Sequence, residues 1–149
     1  MNYFFLIIHV ASAILFIGGV TVSTSLFPRY ATGADAAAFA EKGGHPAAVA
    51  MHRITYVYGR LAIITPVAGL LLAVMLGRLM ELWVLLSIAL VAAGSVLLVV
   101  QIIPMQREML KNPPVDGKAR GRAMGYAGML NVIWLAVLVL MFLKPGASA

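Results

Sequence analysis

Four long runs of apolar residues, separated by short polar stretches, set the plan of this 149-residue chain. The runs are Tyr3–Phe27, Ile54–Leu76, Leu82–Ile103 and Tyr126–Leu143. Each is long enough to cross the roughly 30 Å of bilayer hydrocarbon, which takes about 20 helical residues. Backbone in lipid must satisfy its own hydrogen bonds, so at these lengths the runs are helices. The pattern predicts an all-α integral membrane protein, one domain folded as a four-transmembrane-helix bundle. The first run has no basic stretch before it, is longer than the apolar core of a signal peptide, and turns polar at Thr21, Ser23, Thr24 and Ser25. It reads as a retained span.

The connections carry their own signals. Thr32-Gly-Ala-Asp35 resembles a capping box, predicting a short helix over about 34–42 that Gly43-Gly44 ends. Pro46 suits the first position of a helix, so the second helix is expected over 46–76, with a kink at Pro66. The turn after it centres on Arg78 and Glu81. The third helix is expected over 82–103 and the fourth over about 124–143. The stretch between them, Pro104–Arg122, is basic and broken by Pro113-Pro114.

Composition supports the lipid setting. Hydrophobic residues make up 62% of the chain and charged ones only 11%, against about 25% charged in a soluble domain. The net charge of +6 does not suggest nucleic acid, because the basic residues cluster between apolar runs rather than along one face. They set orientation instead. Arg29, Lys42, Arg53, Arg107, Lys111, Lys118, Arg120 and Arg122 fall at the first and third connections, whereas the opposite side has Arg78 and Lys144. The positive-inside rule then places both termini on the non-cytoplasmic side. Belts of Tyr3, Phe4, Phe5, Trp83 and Phe142 at one face, and Phe27, Tyr30, Tyr56, Tyr58 and Tyr126 at the other, agree with that placement.

Chemistry centres on His9, an ionisable residue inside the first span. It shares a helix face with Ser12, Ala13, Phe16, Gly19 and Ser23, a mostly small surface of the kind that packs against another helix. The imidazole therefore points into the bundle. It serves there as an axial ligand to haem or another metal, or as a hydrogen-bonding residue across the interface. His52, Tyr56 and Arg60 recur at four-residue spacing and form one stripe on the second helix. Arg60 suits a carboxylate such as a haem propionate; the alternative is that it snorkels to headgroups. For His52 the alternative is an interfacial histidine. Asn131 and Trp134 are expected to pack between helices. The nine methionines are expected mainly to fill gaps. Asp35, Glu41, Glu81, Glu108 and Asp116 all lie in connections, which removes the embedded carboxylate of a proton- or sodium-coupled transporter. With no cysteine in the chain, thiolate metal sites and disulfides are excluded.

His9 with Gly18-Gly19, the Arg60 region, Ile103-Pro104-Met105-Gln106-Arg107, and Asn131 with Met141-Phe142-Leu143-Lys144-Pro145 resemble an uncharacterised family of small four-helix bacterial membrane proteins of unknown function. More distantly, the first helix is similar to the copper-resistance D type membrane domain and to the haem-dependent membrane protoporphyrinogen oxidase of bacteria. In the latter a histidine precedes a glycine and a Pro-Arg pair, here His9, Gly19 and Pro28-Arg29. That resemblance implies the bacterial inner (plasma) membrane and a haem-ligand role for His9. The membrane lysine linked to the oxidase activity has no counterpart here.

Three functions follow as expectations. One is a b-type haem membrane protein with a redox or haem-handling role, with His9 as metal ligand and His52, Tyr56 and Arg60 as further candidate cofactor-binding residues. Another is a cofactor-free accessory or assembly subunit of a larger membrane complex. The last is a copper or small-solute permease. His9 and His52 fall on opposite membrane sides, roughly 25–30 Å apart at 1.5 Å per residue. A haem on His9 would therefore take Met75, Met80, Met141, a second protomer or an open position as its other side.

Overall fold

The computed structural model describes residues 2–145, with the side chain of Asn2 left out. These residues form an all-helical fold, 84% of them in helix and none in a strand. Four helices are long and apolar enough to cross a membrane: α1, Tyr3–Tyr30; α2, Pro46–Met75; α3, Leu82–Lys111; and α4, Gly117–Leu143. They run alternately up and down. Ser23 meets Thr55 and His9 meets Thr65, which makes α1 and α2 antiparallel. Gly94 lies against Trp134 in the pairing of α3 and α4. The two ends of the described chain share the end of the bundle that holds the α2–α3 turn, here called the terminal end. The connections 31–45 and 112–116 share the other, the basic end.

Packing is tightest toward the basic end. Phe27, Ala31, Ala48, Met109, Leu110 and Ala123 form one buried cluster, and Val20, Leu98, Ile102 and Leu130 a second one deeper in the bundle. There the second half of α1 packs on both α2 and α4. Toward the terminal end the helices sort into two pairs. The first half of α1 lies on the second half of α2, and the first half of α3 lies on α4. The pairs separate between their walls.

Three helices run farther than hydropathy indicates. α1 continues to Tyr30 through Pro28, α3 continues to Lys111, and α4 begins at Gly117. The reason is amphipathicity. Beyond Ile103 the third helix turns polar on one side but still buries Gln106, Met109 and Leu110. An apolar window marks a change in side-chain polarity and not the end of the helix.

The first connection also departs from its sequence signature. The turn of helix Ala34–Ala37 and the tight turn Ala40–Lys42 replace one continuous helix. No capping box forms, because the Thr32 hydroxyl donates back to the Pro28 carbonyl at 2.9 Å. Gly43 and Gly44 take φ of 85° and 108°, and a side chain at Gly44 would also strike Leu110. His45 caps α2, its Nδ1 accepting the Ala47 N–H at 3.2 Å, with Pro46 at the start of the helix. At the far end of α2, Gly77 at φ 67° and Arg78 return their N–H groups to Val74 and Ala73, a Schellman motif.

Candidate functional site

The space between the two helix pairs is a cavity of about 810 Å³. His9, Ile63 and Pro66 stand on the α1–α2 side, and Val99, Leu138 and Met141 on the α3–α4 side. That volume lies within the range of about 300–1,000 Å³ typical of small-molecule and cofactor sites.

Three of the four helices leave regular α-geometry where they border it. α1 widens into a π turn over Ala13–Ile17 and α3 over Leu97–Ile102. Ala13, Ile14, Ile17, Leu98 and Val99 from those turns all face the cavity. α2 breaks at Ala62–Ile63. The cause there is Pro66, which has no N–H for the Ala62 carbonyl and whose ring would crowd it. That carbonyl accepts the Thr65 N–H instead, at 3.1 Å. In α3 the π turn ends two residues before Pro104. Wide turns of this kind concentrate at functional sites.

His9 is held in one orientation. Its Nδ1 donates to the Thr65 carbonyl at 2.8 Å, which leaves Nε2 without a partner among the described residues. Thr65 adds a hydroxyl bond to Ser12 at 2.9 Å, and Ser12 returns its own proton to the His9 carbonyl. The expected small-residue face of α1 is therefore the one that packs on α2. Gly69 makes the arrangement possible. A Cβ at that position would lie 2.7 Å from His9 Cε1 and 2.8 Å from Nδ1. In a helix the residue four places on flanks the carbonyl of Thr65, so a glycine there exposes this oxygen to an outside donor.

Arg60 and Tyr56 also line the cavity, and the guanidinium sits 4.5 Å over the Tyr56 ring. No carboxylate pairs with Arg60 among the described residues; the ion pair found there joins Arg78 to Glu81 in the α2–α3 turn, at 3.7 Å. Asn131 donates through Nδ2 to Ser25 Oγ at 3.0 Å. Since the Ser25 proton goes to the Thr21 carbonyl, Ser25 can only accept from Asn131, and this fixes the amide orientation. Asn131 Oδ1 and Trp134 Nε1 are then buried and unpartnered among the described residues, one turn apart on a helix that borders the cavity.

His52 does not join this set. Its Nδ1 donates to Gln106 Oε1 at 3.0 Å, and Gln106 Nε2 reaches Thr55 Oγ1, which meets Ser23 Oγ at 2.9 Å. The four residues tie α1, α2 and α3 together in the basic half. Spacing alone placed His52 in one stripe with Tyr56 and Arg60, but a helix face can turn toward two neighbours along its length. Sequence reasoning missed Thr65, Gly69 and Gln106. Of these, only a glycine inside an apolar run carried a visible signal.

Among the described residues no three His, Cys, Asp or Glu side chains gather into a metal-holding group. Comparison with known proteins gives no match to a family model, a curated protein or a solved structure.

Proposed function

We propose that this is a multi-pass protein of the bacterial inner membrane, with both termini non-cytoplasmic, that holds b-type haem between its helix pairs in a redox or haem-handling role. One observation carries the reading: His9 is anchored through Nδ1 on a backbone carbonyl while its Nε2 is unpartnered beside a cofactor-sized apolar cavity. An Nδ1–H bond to a carbonyl is the usual outer-shell support of a ligating histidine, because it fixes tautomer and ring orientation. In this reading Nε2 is the iron ligand. Arg60 lies five residues before Thr65, roughly 8 Å along the axis at 1.5 Å per residue, and its unpaired cation suits a propionate carboxylate. Bound haem would supply one-electron chemistry. The chain would supply a nitrogen ligand, a counter-charge and a largely apolar lining.

The lipid setting is supported by the outward faces of the helices. Phe4, Val96 and Val132 are each more than 60% exposed in the isolated bundle, and extensive apolar surface of this kind suits apolar surroundings.

A second reading, a cofactor-free accessory subunit, is favoured by the Thr65 bond itself, which gives His9 a structural use with no ligand present. The optical spectrum of the purified protein separates the two. A Soret band that His9→Ala removes, while His52→Ala and His45→Ala keep it, supports haem. Clean protein absorbance after expression with ample haem would leave the accessory role.

A further inference from the structure

We infer that Met141 is the second residue that would hold the haem iron together with His9; the inference rests on the haem reading above. Among the described residues, the terminal half of the bundle offers Met75, Met80 and Met141. Met75 and Met80 are 49% and 80% exposed and do not line the cavity, whereas Met141 is partly buried and does. The two proposed ligands stand on different walls. His9 belongs to the stretch of α1 held against α2, and Met141 lies near the end of α4, which packs on α3 in this half. α1 meets α4 chiefly through its second half, and both side chains line the one cavity between the helix pairs.

The other histidines do not compete. His45 and His52 are engaged with Ala47 and Gln106 away from the cavity. The Arg60 guanidinium does not ligate iron, and an indole N–H such as that of Trp134 has no lone pair to give. The Met141 thioether is a neutral, soft donor on three rotatable bonds, able to adjust its reach without moving the helix. A His/Met pair gives a six-coordinate, low-spin iron with a raised reduction potential.

The test uses the full-length protein purified with its haem and compares spin state and redox midpoint for wild type, Met141→Leu, Met141→His, Met75→Leu and Met80→Leu. Expected is a low-spin wild type and low-spin Met75 and Met80 variants. Met141→Leu should keep the Soret band but turn high-spin with a lower midpoint, and Met141→His should restore low spin, also at a lower midpoint. A high-spin wild type, or a low-spin spectrum that survives Met141→Leu, overturns the assignment and leaves haem on His9 standing. Should Met141→Leu lose the pigment altogether, recovery in Met141→His supports the assignment and no recovery overturns it. Absence of a Soret band in wild type removes the haem reading and this one together.

Discussion

Gly69 decides what His9 can do. A methyl group there would occupy the place of the imidazole edge, so Gly69→Ala must swing the ring away from the Thr65 carbonyl. Losing one hydrogen bond between membrane helices costs about 0.6 kcal/mol on average. His9→Ala should therefore lower stability by about that amount, and Gly69→Ala by somewhat more because the ring must also find new space. Thermal unfolding in detergent measures both. In the haem reading Gly69→Ala should lose pigment as completely as His9→Ala, although it removes no ligand atom. A Gly69→Ala protein with wild-type pigment would show that the Thr65 bond does not orient the ligand. The site was legible only where a side chain announces itself. His9, Tyr56 and Arg60 stand out in the sequence as polar groups in apolar runs. The partner of His9 is a backbone oxygen, a group every residue has, and the sequence marks it only by a missing side chain four residues later.

At the scale of elements, the sequence marked the four apolar helices and the breaks at Gly43-Gly44 and Pro66 because each has a local physical cause. It understated the helices at the basic end, where burial rather than hydropathy holds them. The Thr32–Asp35 pattern misled because the preceding helix ran on to Tyr30 and brought the Pro28 carbonyl within reach of the Thr32 hydroxyl. Gln106 shows what the hidden part of α3 contributes. It is almost fully buried and joins His52 to Thr55. Gln106→Leu keeps approximate volume but leaves both partners short of a bond, at about 1–3 kcal/mol for an unsatisfied buried group. Membrane averages are smaller, so a loss of about 1 kcal/mol is expected in a denaturation assay. Because Gln106 does not line the cavity, pigment should be unchanged. A Gln106→Leu protein of unaltered stability would mean that the network ties no helices together. Loss of pigment would mean that the basic half and the cavity are coupled.

For the whole molecule the question is which way the bundle sits. α2 and α3 are each 30 residues long, about 45 Å at 1.5 Å per residue, against a hydrocarbon core of about 30 Å. Across such a core each would project some 15 Å beyond it. In the four-span reading the projection falls at the basic end, where the extensions of α3 and α4 carry Arg107, Lys111, Lys118, Arg120 and Arg122. Charges this close to the ends of spans are the ones that set orientation. The four-span reading thus predicts that Asp35 and Lys118 face the cytoplasm and that the chain after Pro145 faces away from it. The cavity would then lie in the non-cytoplasmic half of the bilayer, where His9 and Met141 are, with Arg60 at its inner end. Reporter fusions at Asp35, at Lys118 and after Pro145 measure all three positions. If Asp35 and Lys118 emerge on different sides, the four-span bundle is wrong. If both emerge outside, the bundle survives but the basic end does not set its orientation, and the cavity belongs to the cytoplasmic half.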